Sequence, residues 1–453
     1  MKKIIIFLLV FVTAVSSLFS LSASAAYDTI AASLNLHAES YLLINMDNNT
    51  VVFEKNADKQ SPMASLTKII TATVVLENCK DLSAVVTVPE YCITALANTG
   101  SSVIGLKPGE EMSVENLLYC LLVHSANDAA MVLADYIGGG DMDTFIKMMN
   151  DLAAKHGCTN TSFVNPHGLD DPYQFSTPRD LAVLTQYALT FPVFVEIVNH
   201  WEYKLPATNM SGERKLTNTN NLMNKGISDY YCQYASGVKT GSTSTAGKCV
   251  ISTAQYDGYS YLCVVMNAPM MNIDDDYPLE NCAFVDCKKM FEWVIENMTY
   301  VQIADSTDIA NEVPVLYGRK TDYVVLSPES DMYALVPTGT DAGSLYIEPV
   351  EGSLPKALEA PVKKGQTVCK ANVKYAGQTI ATVNLVASKE VKRSVIGFAA
   401  AKIKAMFHNT AFKIIAILVA AIIVCFAVMC IKALVKRKKS RTLHVVTYND
   451  FRK

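Results

Sequence analysis

Three short stretches of this chain place hydroxyls, ammonium groups and an amide at spacings that suit acyl transfer. The first is "PMASLTKII" (62–70). Pro62 suits the first turn of a helix, where its missing N–H would have no partner, and an apolar run continues through Leu76. On a helix, positions i and i+3 share a face, so Ser65 and Lys68 point the same way. A serine hydroxyl is a weak nucleophile until a base takes its proton. A lysine serves as that base when burial or a neighbouring cation lowers its pKa.

The second stretch is "LLYCLLVHSANDAAMVLA" (117–134), with Ser125 and Asn127 between two helical patterns. The third is "SGVKTGSTSTAGKCVI" (236–251), where Lys239-Thr240-Gly241 leads into a turn and strands. Taken singly, the second reads as a helix break with caps and the third as a turn. Taken together, they complete Ser65. Lys239 beside Lys68 would depress the pKa of the base. Ser125 can relay protons between Lys68 and a leaving amine, and Asn127 can bind a substrate amide and hold Lys68. Lys239 and Thr240 can bind a carboxylate. Gly241 lets substrate backbone approach the strand edge. An oxyanion would sit between the N–H groups of Ser65 and Ser242. His124 and His167 suggest a Ser-His-Asp site, but no G-x-S-x-G elbow occurs, so both read as structural or as polar lining.

The elements that must position these groups are legible in outline. Residues 40–58 read as two strands joined at Asp47-Asn48-Asn49. Ser113 is a good N-cap for "VENLLYCLLV". A helix from Asp128 stops at Gly138-Gly139-Gly140, and Asp141 caps the next one, which ends at Gly157. Residues 247–268 read as a strand, a turn at Asp257-Gly258 and a strand. Strands at both ends with helices between predict an α+β domain over 27–295, an antiparallel sheet flanked by helices. From 300 to 388, short alternating segments separated by Gly and Pro predict a small all-β domain with no cluster that suggests chemistry.

The ends of the chain speak of export. Lys2 and Lys3, an apolar run from Ile4 to Leu21 and Ala23-Ser24-Ala25 form a secretory signal peptide, residues 1–26. Residues 389–413 are basic and partly amphipathic, which suits a short helix on a membrane surface. Residues 414–435 would span about 33 Å as a helix, enough to cross a bilayer. The basic cluster that follows marks 436–453 as a cytoplasmic tail, with the catalytic domain extracytoplasmic. Ten of the 39 Lys and Arg and one of the 43 Asp and Glu lie in 1–26 and 414–453; the remaining 29 and 42 give the body a net charge of −13. An acidic body argues against nucleic acid as a partner. Of twelve cysteines, Cys120, Cys249 and Cys263 lie in apolar runs, so buried free thiols are expected. Cys282 and Cys287 lack the second pair that a zinc site needs. No metal or other cofactor is expected.

S-x-x-K, Ser-x-Asn and K-T-G in this order are shared by class A β-lactamases and penicillin-binding proteins. With "FVNPHGLDD" (163–171), "STPRDLA" (176–182), "LTNTNNLM" (216–223) and "APVKKGQTVCKANVKYAGQTIATVNLVA" (360–387), the chain resembles the serine-type D-alanyl-D-alanine carboxypeptidases, the low-molecular-mass penicillin-binding proteins. The resemblance covers roughly 30–390. It implies a transpeptidase-like catalytic domain, a β-sandwich spacer, a membrane anchor, and removal of terminal D-alanine from peptidoglycan stem peptides, with β-lactam antibiotics as acylating inhibitors. It implies Ser65, Lys68, Ser125, Asn127, Lys239 and Thr240 as the catalytic and substrate-binding set. β-Lactamase and endopeptidase activities are the alternatives, with a non-enzymatic wall-binding or antibiotic-sensing ectodomain behind them. Three departures stand out. Ala126 replaces a frequent Gly, and Phe175 a frequent His. Many members carry an arginine on the strand after the K-T-G turn, yet 258–266 holds no basic residue. Carboxylate binding is therefore expected to rest on Thr240, Ser242 and Lys239.

Overall fold

Period-two alternation builds the sheet that carries the site. In "SYLLIN", Leu42 and Ile44 enter one apolar cluster, while Tyr41 and Leu43 enter another. Leu262, Val264 and Met266 share the first cluster, and Tyr261, Cys263 and Val265 the second. Alternate residues leave opposite faces of a strand, so this sheet is covered on both sides, and its strands read as nearly unbroken apolar runs.

The computed structural model describes residues 34–449 apart from 227–228, 273–278, 342–343, 376–377 and 409. The expected signal peptide lies outside the described residues. The chain divides into two compact units, one holding residues up to 301 with 334–344 and 375–381, the other holding 302–333, 345–374 and 382–453.

In the first unit the elements that bear on the site are β1 (Ser40–Asn45), β2 (Val51–Lys55), α1 (Thr67–Asn78), α2 (Val114–Leu122), α3 (Asn127–Gly138), α4 (Met142–Lys155), α5 (Pro178–Ala188), β3 (Ala235–Thr243), β4 (Gly247–Tyr256), β5 (Tyr259–Ala268) and α6 (Cys282–Asn297). The sheet order is β2-β1-β5-β4-β3, with every neighbouring pair antiparallel. Chain-distant strands are thus spatial neighbours, and β3 stands at an edge. The local signals act as their chemistry predicts. Ser113 Oγ accepts the N–H of Asn116, Asp141 accepts that of Asp143, and Gly139 ends α3 at φ +68°. Helix α1 is buried without a break from Thr67 to Val75, as the axis of a helical layer.

In the second unit, β6 (Asn311–Leu316), β7 (Tyr323–Pro328), β8 (Leu345–Pro349), β9 (Leu358–Glu359), β10 (Thr367–Tyr375) and β11 (Gln378–Ala387) form a sheet ordered β8-β10-β11-β7-β6-β9. Val313, Val315, Val324, Leu326, Ala371 and Leu385 are buried in its core. Helices α7 (Val395–His408) and α8 (Thr410–Asn449) follow. Phe412–Arg437 of α8 is long and apolar enough to cross a membrane, and none of it is buried in the protein. All twelve cysteines are free thiols, and no group of His, Cys, Asp and Glu able to hold a metal ion occurs among the described residues.

Candidate active site

Ser65 lies in a single 3₁₀ turn, Ala64–Leu66, that leads into α1. Ala64 adopts φ +49°, a left-handed conformation that costs an L-residue roughly 1–2 kcal/mol. Tight surroundings hold it there. Thr67 Oγ1 donates to the Ala64 carbonyl at 2.8 Å. A Cβ on Gly168 (φ +90°) would lie 2.0 Å from that same oxygen. A Cβ on Gly241 would lie 3.0 Å from the Met63 carbonyl and 3.2 Å from the Ser65 nitrogen. Two glycines from distant segments therefore let two backbones close on the turn that presents Ser65. The sequence assigned Gly241 to the approach of substrate backbone; the backbone that closes on it here is the protein's own, at Met63, Ala64 and Ser65.

Lys68 follows in the first turn of α1 and is fully buried. Its Nζ donates to Ser65 Oγ at 2.8 Å and to the His167 carbonyl at 2.7 Å. Burial, and then the nearby Lys239 ammonium, hold its pKa well below the ordinary lysine range, with Asp128 opposing. A neutral amine beside a hydroxyl is the arrangement that a general base requires. The segment that supplies the His167 carbonyl is itself fastened. Thr71 Oγ1 donates to the Pro166 carbonyl at 2.6 Å. Gln174 accepts the N–H groups of Val164 and Asn165 at 2.9 Å and donates to Thr67 Oγ1 at 3.2 Å.

Ser125 sits between α2 and α3 at φ +64°, buried, with Asn127 as the first residue of α3. The cap of α3 is Ala126, with no side-chain bond. Ser125 is therefore not the cap that the bland interpretation of this stretch requires. The turn is lashed to residues 102–106. Asn127 N–H donates to the Ser102 carbonyl at 2.8 Å, and Asp128 Oδ2 accepts the N–H groups of Gly105 and Leu106 at 3.0 Å.

On β3, Lys239 is buried, and its Nζ donates to the Thr240 carbonyl at 3.1 Å. Burial lowers its pKa to about 7. Thr240 Oγ1 shares a 2.6 Å hydrogen bond with Thr219 Oγ1, and the exposed Ser242 Oγ accepts one from Lys248 Nζ at 3.0 Å. Thr243 Oγ1 donates to Asp170 Oδ1 at 2.7 Å, tying the end of β3 to the loop that holds His167. Both histidines are weakened as bases by their surroundings. The His167 ring is held at about 3 by burial and then by Lys68, and its Nδ1 accepts the Leu169 N–H. His124 is also lowered, chiefly by burial.

The structure thus brings Lys68 to Ser65 and Gly241 to the Ser65 turn, with Lys239 close enough to act on the charge of Lys68. Sequence reasoning missed the His167 carbonyl, Thr219, Asp170 and Lys248. The first three lie inside the stretches "FVNPHGLDD" and "LTNTNNLM". Lys248 stands on β4, outside the stretch 258–266 in which a basic residue was sought.

A model of the D-alanyl-D-alanine carboxypeptidase family matches residues 27–270, and one of the penicillin-binding protein 5 C-terminal domain matches 299–393. The chain is 31% identical over 388 residues to the D-alanyl-D-alanine carboxypeptidase DacC of Escherichia coli (strain K12), covering 83% of this chain and 89% of that protein. It is 28% identical to DacF of Bacillus subtilis (strain 168), covering 83% and 91%. Among solved structures, penicillin-binding protein 5 of Haemophilus influenzae superposes with a TM-score of 0.64 at 27% identity, covering 79% of this chain and 98% of that one. With these matches spanning both units, the chain belongs to the D-alanyl-D-alanine carboxypeptidase family.

Proposed function

We propose that this protein is a serine-type carboxypeptidase that removes the terminal D-alanine from peptidoglycan stem peptides through an acyl-enzyme on Ser65. The observation that carries the assignment is the fully buried Lys68 amine within hydrogen-bond reach of Ser65 Oγ, at 2.8 Å. In this mechanism neutral Lys68 takes the Ser65 proton as Oγ attacks the carbonyl of the penultimate D-alanine. The N–H groups of Ser65 and Ser242 stabilise the oxyanion. Ser125 passes the proton to the departing amine, and free D-alanine leaves. Lys68 then takes a proton from water as water attacks the ester, which restores Ser65. Asn127 binds the substrate amide, and Thr240, Ser242 and Lys239 receive the terminal carboxylate, with Gly241 keeping the strand close to the nucleophile. A β-lactam enters the same steps, but its leaving group stays tethered and obstructs water.

The segment boundaries belong to the same proposal: a signal peptide at 1–26, a catalytic domain at 27–295, a β domain at 300–388, a juxtamembrane segment at 389–413, a span at 414–435 and a cytoplasmic tail at 436–453. The exposed apolar stretch of α8 supports an anchor that leaves the catalytic domain outside the cell. The test is mass spectrometry after penicillin treatment, paired with assay of D-alanine release from a pentapeptide. A penicilloyl ester on the Ser65 peptide, absent in Ser65→Ala, is expected. An adduct on another residue, or nitrocefin turnover without D-alanine release, refutes the assignment.

A further inference from the structure

Lys239 is expected to act on the substrate carboxylate through its charge from within the strand, for its ammonium is buried and turned onto the Thr240 carbonyl. The hydroxyl-bearing side of β3 is elsewhere. Thr240 and Ser242 are two residues apart and leave the same face of the strand. Lys248 on β4 pairs directly with Ser242 in the register, so its side chain rises on that face too. Its Nζ donates to Ser242 Oγ at 3.0 Å. A hydroxyl that accepts from an ammonium has its own proton free to turn outward and donate. The two hydroxyls and the ammonium together form a row of donors with a positive end.

We infer that Lys248 is a specificity-determining residue that receives the substrate's terminal carboxylate together with Thr240 and Ser242. This rests on the carboxypeptidase assignment and adds a residue that the motif set does not contain. The ammonium lies at the exposed rim, so it can shift from Ser242 to an arriving carboxylate without leaving a buried group unpaired. A charge-assisted hydrogen bond of this kind distinguishes a free C-terminus from a neutral one.

The experiment compares two substrates with one acyl group: a peptide ending in D-Ala-D-Ala, and a thioester whose leaving thiol carries no charge. In Lys248→Met, the ratio of kcat/KM on the peptide to that on the thioester should fall by about tenfold or more, the scale of one charge-assisted hydrogen bond. The loss should appear in KM, and Lys248→Arg should restore most of the ratio. An unchanged ratio, or equal losses on both substrates, overturns the inference while leaving the carboxypeptidase assignment standing. A wild-type protein that releases no D-alanine overturns both.

Discussion

Helix α1 and strand β3 each supply a buried lysine to the site, and they differ in how their hydroxyls are held. On α1 around Lys68 the hydroxyls find their partners inside the protein. Thr67, Thr71 and Thr73 donate to the carbonyls of Ala64, Pro166 and Ile69, and Lys68 itself is held by Ser65 and His167. Strand β3 is an edge, and its hydroxyls reach the rim, where Thr219 and the half-buried Lys248 meet them. The helix presents a preorganised base whose neutral form is enforced by burial. The strand presents groups that can exchange protein partners for substrate. Changes on the helix side should therefore strike the chemical step, and changes on the strand side should strike binding.

The largest effect should come from breaking the helix side. Lys68→Met removes the proton acceptor and should slow acylation of Ser65 by about 10²- to 10⁴-fold, the range for a positioned general base. Stopped-flow acylation, with circular dichroism to confirm folding, is the measurement. Near-normal acylation by a folded variant would falsify the role of the base. Gly168→Ala comes next. Its Cβ would lie 2.0 Å from the Ala64 oxygen at a φ of +90°, so the turn bearing Ser65 must move. A strain of more than about 1 kcal/mol should lower the melting temperature, and acylation should slow by more than about tenfold. If both are preserved, the fit between Gly168 and Ala64 does not position the nucleophile.

The strand side should respond more mildly. Thr240→Val removes one hydroxyl donor and should raise KM for a D-Ala-D-Ala peptide by roughly tenfold, with a smaller change in kcat. A loss confined to kcat would move Thr240 into the chemical step. The two lysines also separate by pH. Lys68 acts neutral, so acylation should rise with pH through a value well below the ordinary lysine range. Lys239 binds a carboxylate best when charged, so KM should rise by a few-fold as pH climbs through about 7. A KM that stays flat across that value removes Lys239 from the carboxylate subsite. The smallest effect on chemistry should follow truncation before Ile414. With the signal retained, a soluble ectodomain with wild-type kcat/KM is expected in the medium. Retention on membranes would make 389–413 an anchor in its own right.

Features encoded by near neighbours were legible without a structure. The i, i+3 spacing of Ser65 and Lys68, the caps at Ser113 and Asp141, the hairpin across 40–55 and the turn at Asp257-Gly258 all follow from local backbone sterics and from hydrogen bonds over a few residues. The 22-residue apolar run at 414–435 was legible for the same reason, because its length alone is compared with a bilayer. What surrounds the chemical groups was not legible. The carbonyl that holds Lys68 comes from a residue 99 positions away. The fit of Gly168 and Gly241 around Ser65 joins three segments that meet only when the helical layer packs on the sheet. Lys248 reaches Ser242 through a register in which slipping one residue would turn its side chain to the other face. The sequence by itself determined which groups exist and which local elements bear them. Tertiary packing decided which lysine is the buried base and which cation stands at the rim, because desolvation and cross-strand register depend on the whole sheet and helical layer at once.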